Sequence, residues 1–149
     1  MAKPLVMVLN GPNLNMLGIR EPELYGTKTL ADVEALCHEE ADRLGVEVDC
    51  RQTNHEGYLV DWIQESHDKA LGVVINAGAY ARTSLAIHTA VKSVSTPVIE
   101  VHITNIYNKE AYRPPSYLSH VARGIICGLG LDVYRLGLQA VCQLTEQKK

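Results

Sequence analysis

Three short runs of apolar residues, each followed at once by polar residues, constrain the fold of this chain more than any other feature. They are Leu5 to Leu9, Leu71 to Ile75 and Pro97 to Val101. None of them alternates strictly between apolar and polar residues, which is typical of strands that are buried on both faces of a parallel sheet. The three runs therefore predict parallel strands in the interior of an α/β protein.

The segments between these runs carry apolar residues at helical spacing. A first helix is predicted between Thr29, which forms a capping pair with Asp32, and Gly45. A second helix is predicted from about Glu56 to Ala70. A weaker strand, Val46 to Gln52, separates the two helices, so strands and helices alternate along the chain.

The second helix has a predicted inner face and a predicted ion pair, and further strands and helices follow it along the chain. The side chains that the second helix is predicted to turn inward are Leu59, Trp62, Ile63 and Ser66. Glu65 and Lys69 are predicted to form an i,i+4 ion pair on its surface. The remaining predicted elements are a helix that begins at Thr83-Ser84 and runs through Val91, a fifth strand at Ile125 to Cys127, and a last helix from about Leu131 to Leu144.

A strand followed by a helix, repeated about five times, calls for a parallel sheet with helices on both faces and right-handed crossovers. With five strands, the common arrangement is the flavodoxin-like order 2-1-3-4-5 in a three-layer sandwich. A length of 149 residues is typical of one domain, and no repeat or linker divides it, so residues 1–149 are predicted to form a single domain. In this order, strands 1, 3 and 4 are neighbours at the centre of the sheet.

Composition and charge argue against several classes of protein. The formal net charge of -3 comes without any dense run of Lys and Arg, so neither nucleic acid nor an anionic membrane surface is expected as a partner. The four cysteines show no C-x-x-C spacing, which predicts buried free thiols rather than a metal or redox site. The first apolar run is broken at Asn10, too early for a signal peptide or a membrane span, and we expect a cytoplasmic protein.

The residues that follow the three runs indicate where the functional site lies, because ligands of such sheets bind beyond the carboxyl ends of the strands. They are Asn10 to Asn15, Asn76 to Tyr80 and Glu100 to Asn105. The first segment carries neither G-x-G-x-x-G nor G-x-x-x-x-G-K-S/T, so it lacks the residues of a nucleotide-binding loop. A phospho-acceptor switch domain would need acidic residues after strands 1 and 3, where this chain has asparagine.

Five separated motifs carry a resemblance to a known family. They are Gly11 to Asn15, Arg20 to Gly26, Asn54 to Gly57, Asn76 to Tyr80 and Glu100 to Ile103. In this order, and over nearly the whole chain, they resemble the type II 3-dehydroquinate dehydratases. The resemblance implies a lyase that dehydrates 3-dehydroquinate to 3-dehydroshikimate by anti elimination through an enolate. It implies neither a metal nor an organic cofactor.

The resemblance also assigns catalytic roles residue by residue. Tyr25 would be the base in its tyrosinate form, and Arg20, five residues earlier, would stabilise that anion. His102 would protonate the leaving hydroxyl, with Glu100 helping to set its tautomer or charge. Asn13 would hold the enolate oxygen together with an ordered water. By residue type alone, Arg20 to Gly26 also fit an ordinary polar surface turn, His102 an ordinary strand-end histidine, and Asn13 a capping asparagine.

Substrate binding is implied in the same way. Asn76 and the backbone N–H groups of Ile103 and Thr104 would receive the carboxylate of the substrate, and Arg113 would contact ring hydroxyls. Residues 18–27 are expected to form a mobile lid, because the segment carries glycine near both ends and water must be excluded during the reaction.

At three positions the chain departs from the residues that are usual in the family. Arg82 stands where the family has a histidine that touches a ring hydroxyl, and Thr89 replaces an aspartate that reaches a neighbouring subunit's site. Lys109 stands where arginine is common. The first two changes make the rim of the site about two charges more positive. We hypothesise that Arg82 binds a substrate oxygen directly or pairs with Glu100, and a preference for a related cyclic hydroxy acid is the alternative.

The resemblance extends to assembly and pathway. Family members form dodecamers built from trimers, so a homododecamer, a tetramer of trimers, is expected. The reaction is the same in the biosynthesis of aromatic amino acids by the shikimate pathway and in the catabolism of quinate, and the sequence leaves both roles open. Two other interpretations stay open at this point: a flavodoxin-like module that binds flavin or nucleotide, and a non-catalytic paralogue.

Overall fold

Five parallel strands form the sheet at the centre of the chain, which a computed structural model describes for residues 2–108, 110, 112 and 115–147. The strands are β1 (Leu5–Asn10), β2 (Glu47–Gln52), β3 (Gly72–Asn76), β4 (Val98–His102) and β5 (Gly124–Cys127). Their order across the sheet is β2-β1-β3-β4-β5. The predicted flavodoxin-like order is confirmed, and the three apolar runs form the three central strands.

Helices cover both faces of this sheet. They are α1 (Pro22–Tyr25), α2 (Leu30–Leu44), α3 (Glu56–Ser66), α4 (Leu85–Ser93) and α5 (Asp132–Gln147). The pair α2 and α5 packs over one face, and the pair α3 and α4 packs over the other. Three 3-10 turns, Leu14–Met16, Gly78–Arg82 and Leu118–His120, lie in the loops.

Successive residues of β1 show how the two layers of core are built. Val8 belongs to the apolar cluster under α2 and α5, whereas Leu9 belongs to the cluster under α3 and α4. Both side chains are fully buried. Successive side chains of a strand point to opposite faces, so a strand covered on both sides must be apolar throughout. Each such side chain contributes roughly 1.5–3 kcal/mol to folding.

The predicted signals at the ends of α2 are both present. Thr29 and Asp32 form a reciprocal capping box, in which the Asp32 carboxylate accepts from the Thr29 N–H at 2.8 Å and the Thr29 hydroxyl accepts from the Asp32 N–H. Gly45 ends the helix with φ of 75°, a left-handed conformation that suits glycine. Ser84, the predicted cap of α4, accepts from the N–H of Ile87 at 2.9 Å.

The predicted end of α3 is wrong. The helix ends at Ser66, whose hydroxyl donates to the Ile63 carbonyl at 2.6 Å, and Asp68 then adopts φ of 64°, which no right-handed helix can contain. The expected ion pair between Glu65 and Lys69 is therefore replaced. Glu65 binds Arg51 of β2, with 2.6 Å between the carboxylate and the guanidinium.

Two expectations from composition can be compared with the structure. The four cysteines are free thiols, as predicted, but Cys37 alone is fully buried and the other three are partly exposed. No helix in the described part of the chain combines the length and the apolar character that crossing a membrane requires.

Candidate active site

A cleft of about 280 Å³ opens at the carboxyl edge of β1, β3 and β4. Seven of the predicted site residues line it: Asn13, Arg20, Asn76, Arg82, His102, Ile103 and Thr104. They come from segments far apart in sequence, and they meet because neighbouring parallel strands end at the same edge of a sheet. Asn10 and Asn76, the last residues of β1 and β3, are direct partners in the strand register.

The other predicted residues lie outside this lining. Glu100 lies behind His102, and Thr89 is exposed on α4. The side chain of Tyr25, the last residue of α1, lies outside the described part of the chain, as do Arg113 and Lys109.

His102 and Glu100 form a buried pair at the end of β4. They are two residues apart in a strand, so their side chains share one face of the sheet. The distance from His102 Nε2 to Glu100 Oε2 is 2.6 Å, and the side chains are 6% and 0% exposed. The pair is thus held in place before any ligand binds.

Two serines that precede β5 also donate hydrogen bonds to the Glu100 carboxylate. Ser119 Oγ donates to Oε1 at 2.7 Å, Ser116 Oγ donates to Oε2, and the Tyr107 hydroxyl contacts Ser119 Oγ in turn. Burial raises the pKa of Glu100, but the hydrogen bonds from His102, Ser116 and Ser119 outweigh it and keep the pKa below its usual value. Glu100 is therefore a carboxylate that can only accept, so Nε2 of His102 carries a hydrogen toward it and Nδ1 is the ring nitrogen left for the cleft.

The loop after β1 is held by the end of β2. Asn13 has φ of 70°, and its N–H donates to Asn54 Oδ1 at 3.0 Å. Gln52 Nε2 donates to the Gly11 carbonyl and to Asn54 Oδ1, both at 3.1 Å. The side chain of Tyr80 adds a hydrogen bond to the Asn54 carbonyl at 2.8 Å. These bonds place Asn13 at the mouth of the cleft without using its own side chain.

The loops after β1 and β3 touch at Gly11. Its N–H donates to the Asn76 carbonyl at 2.8 Å, and a Cβ at this position would lie 2.5 Å from the Ala77 carbonyl oxygen. Because backbone atoms cannot give way cheaply, only glycine fits here. Gly11 thereby lets the loops after β1 and β3 pack directly against each other beside the cleft.

Two guanidinium groups make the cleft positive. Arg20 lies beside Glu21 at 3.3 Å, with half of its side chain exposed. Arg82 is half-buried, and no hydrogen bond or ion pair joins its side chain to another described residue. The hypothesis that Arg82 pairs with Glu100 does not hold for this structure, because the described partners of that carboxylate are His102, Ser116 and Ser119.

The two ends of the segment from 18 to 27 meet. Gly18 has φ of 89°, and a Cβ there would lie 2.9 Å from the Thr27 carbonyl oxygen and 3.0 Å from Thr29 Cγ2. Between these ends the chain is open to solvent, with Ile19 72% exposed. The segment that carries Arg20 is therefore anchored at its base and exposed at residues 19–23, 26 and 27.

Comparison with known proteins agrees with this geometry. Residues 4–142 match the family described as "Dehydroquinase class II". The chain belongs to the type II dehydroquinase family. The resemblance read from the five motifs is thus confirmed.

Relatives and solved structures within the family are similar over nearly their full length. The 3-dehydroquinate dehydratase of Rhizobium meliloti (strain 1021) is 52% identical over 97% of each chain. That of Variovorax paradoxus (strain S110) is 55% identical over 91% of this chain and 97% of its own. The crystal structure of the type II dehydroquinase from Propionibacterium acnes has a TM-score of 0.89 at 40% identity, and the match covers 95% of this chain and 98% of that chain.

Several residues of this dehydroquinase site were not found from the sequence. Ser116, Ser119 and Tyr107 hold Glu100 from the segment that precedes β5, and no motif marks them. Gln52 precedes a motif and Asn54 belongs to it, yet nothing in their spacing indicates that they hold the loop of Asn13.

Proposed function

We propose that this chain dehydrates 3-dehydroquinate to 3-dehydroshikimate by anti elimination through an enolate. The observation that carries the proposal is the buried pair of His102 and Glu100. His102 lines the same cleft as Arg20 and Asn13, and the chain belongs to the type II dehydroquinase family. The reaction needs a base, a donor to the enolate oxygen and an acid, and the chain supplies a residue for each.

His102 is the acid in this proposal. The leaving hydroxyl of the substrate takes a proton from the imidazole and departs as water, and the electron pair of the enolate forms the new double bond. The Glu100 carboxylate, 2.6 Å from Nε2, stabilises the positive charge that the imidazole carries before the transfer. Support comes from the hydrogen bonds of Ser116 and Ser119, which keep that carboxylate ionised.

Tyr25 is the proposed base, and it removes the acidic proton next to the ketone. A free phenol loses its proton only near pH ~10, so a cation must stabilise the tyrosinate. Arg20 is the proposed cation, and it lines the cleft from the same loop. Asn13, with an ordered water, holds the enolate oxygen that develops as the proton leaves.

The substrate carboxylate is assigned to Asn76 and to the backbone N–H groups of Ile103 and Thr104, and ring hydroxyls to Arg113. Arg82 is assigned to a substrate oxygen as well. The support for this last assignment is its position in the lining of the cleft and the lack of a protein partner among the described residues. Since guanidinium only donates, it favours an acceptor oxygen of the ring substituents.

Three wider assignments belong to the same proposal. Residues 18–27 close over the cleft as a lid and exclude water while the enolate exists. The chain assembles as a homododecamer, a tetramer of trimers, in which Thr89 faces a neighbouring subunit's cleft. The protein works in the cytoplasm, in the shikimate pathway or in quinate catabolism.

The direct test is turnover of 3-dehydroquinate, followed by the ultraviolet absorbance of the conjugated enone product. Wild-type protein is expected to be active, and Tyr25→Phe is expected to lower kcat by a factor on the order of 10²–10⁴. Tyr58→Phe, an exposed tyrosine of α3 outside the cleft, is the matched control and should keep full activity. An inactive wild-type protein, or an active Tyr25→Phe, would refute the proposal.

A further inference from the structure

A phenol lies buried beneath the floor of the cleft. Tyr134 of α5 is 0% exposed, and its hydroxyl reaches the ends of β1 and β3, two of the three central strands. It donates to Asn10 Oδ1 at 2.5 Å and accepts from Asn76 Nδ2 at 3.0 Å. Helix α5, which does not itself line the cleft at Tyr134, thus contacts Asn76, which does.

The direction of these hydrogen bonds follows from the number of protons. A phenol has one hydrogen to give, and an amide oxygen can only accept. Because the hydrogen of Tyr134 goes to Asn10 Oδ1, the phenol oxygen can only accept from Asn76, and this requires the NH₂ group of Asn76 to face it. Burial raises the pKa of Tyr134 above that of a free phenol, so the hydroxyl keeps this hydrogen.

A second contact fixes the same amide from its other end. The N–H of Gly78 donates to Asn76 Oδ1 at 3.2 Å. If the amide of Asn76 turned over, its NH₂ group would face the Gly78 N–H and its oxygen would face the oxygen of Tyr134. Both contacts would then be repulsive and both buried groups would lose their hydrogen bonds, which disfavours the turned amide.

These contacts decide what Asn76 offers to the cleft. Its oxygen accepts from the Gly78 N–H and one of its N–H bonds donates to Tyr134, so the second N–H is the donor that is left for the cleft. A single fixed donor suits a carboxylate, which only accepts. We propose that Tyr134, set by Asn10, is a positioning residue that holds the Asn76 amide as a donor to the substrate carboxylate. The inference rests on the proposed function, in which Asn76 binds that carboxylate.

Tyr134→Phe tests the inference in the full-length protein, because it removes one oxygen atom and keeps the ring in the core. KM for 3-dehydroquinate is expected to rise about tenfold while kcat changes less than about threefold. Val141→Ala is the matched control, since Val141 is equally buried two turns along α5 and packs against Gly72 at the other end of β3. It should lower the melting temperature and leave KM unchanged.

A double-mutant cycle separates positioning from a merely structural role. Asn76→Ala should raise KM, and adding Tyr134→Phe to it should change KM by less than about twofold, because the phenol then has no amide to hold. Multiplication of the two effects in the double variant would overturn the inference. An unchanged KM in Tyr134→Phe would overturn it as well.

The remaining outcomes are distinguishable. If Asn76→Ala raises KM and Tyr134→Phe does not, the positioning role alone is refuted. If wild-type protein does not turn over 3-dehydroquinate, the proposed function and the inference fall together. Should Tyr134→Phe not fold, Asn10→Leu serves instead, since it frees the phenol hydrogen to face Asn76 Oδ1 and should raise KM in the same way.

Discussion

The two sides of the cleft are built differently. On the side of β4, the His102 and Glu100 side chains are 6% and 0% exposed, and hydrogen bonds join them to each other and to two serines. On the side of the loop after β1, Arg20 is half exposed beside Glu21, and its neighbour Ile19 is 72% exposed. In the proposed mechanism, the side that supplies the acid is preorganised in the fold, whereas the side that supplies the base lies on a segment that has to close.

The physical reason lies in the charges. A buried carboxylate is tolerated only when hydrogen bonds replace its water, so Glu100 must be surrounded by donors at all times. An exposed pair such as Arg20 and Glu21 is worth about 0–1 kcal/mol and holds little in place. A charge that forms only during the reaction can be met by a residue on a loop, provided that the loop closes and removes water.

Of the variants that test this comparison, Glu100→Gln should have the largest effect on kcat. An amide cannot accept all the hydrogen bonds that the carboxylate accepts, and it leaves the imidazolium without a counter-charge, so kcat should fall on the order of 100-fold. Steady-state turnover measures this. Glu21→Gln, the carboxylate of the exposed side, is the control and should change kcat by less than about twofold. Equal effects of the two variants would erase the distinction between the two sides.

Gly18→Ala tests the exposed side. The added methyl group would lie 2.9 Å from the Thr27 carbonyl oxygen at φ of 89°, so the base of the segment must shift, and kcat/KM should fall about tenfold. Gly45→Ala introduces comparable strain at φ of 75° with open space around it, at the end of α2. That control should lower stability only, and a kinetic loss in it equal to that of Gly18→Ala would contradict the role of the segment.

Arg82→His sharpens the comparison at the rim of the cleft. If the guanidinium binds a substrate oxygen, kcat/KM for 3-dehydroquinate should change by about threefold to tenfold, with most of the change in KM. The exposed Arg123, which precedes β5 and does not line the cleft, offers the control Arg123→His. An unchanged kcat/KM in Arg82→His would remove Arg82 from the substrate site.

The pH dependence of stability gives the smallest effect. The pKa of Glu100 is lower in the folded protein than its ordinary value, so its stabilising contribution is complete above about 4.5, the ordinary value, and is lost as the pH falls through the folded value. Urea unfolding between pH 7 and pH 3 should show a steeper loss for wild-type protein than for Glu100→Gln. If the free energy of unfolding fell equally with pH in both proteins, the ionised Glu100 carboxylate would contribute nothing to stability through its hydrogen bonds.

The sequence was sufficient for most of the fold because its signals were local. The apolar runs, the capping box at Thr29 and the glycine at Gly45 each depend on a few neighbouring residues, and all three were confirmed. The end of α3 was missed because the pair Glu65 and Lys69 satisfies helical spacing whether or not the helix continues. The left-handed turn at Asp68 depends on how the chain returns to β3.

For the site, the sequence indicated the cleft-lining residues but not those that hold them. His102 and Glu100 are two positions apart in one strand, a spacing that can be read directly. Ser119 reaches Glu100 across 19 residues, and Tyr134 reaches Asn10 across 124. Such contacts depend on tertiary packing, and Tyr134 has the spacing of an ordinary core residue of an amphipathic helix.

The most direct test of the account is a pair of crystal structures of Tyr25→Phe, without ligand and with 3-dehydroquinate. The account predicts that His102, Glu100 and the two serines superpose unchanged, with His102 Nδ1 about 3 Å from the leaving hydroxyl, while residues 18–27 move to cover the ring. A His102 side chain that swings to a new position on binding, over a segment 18–27 that stays where it was, would contradict it.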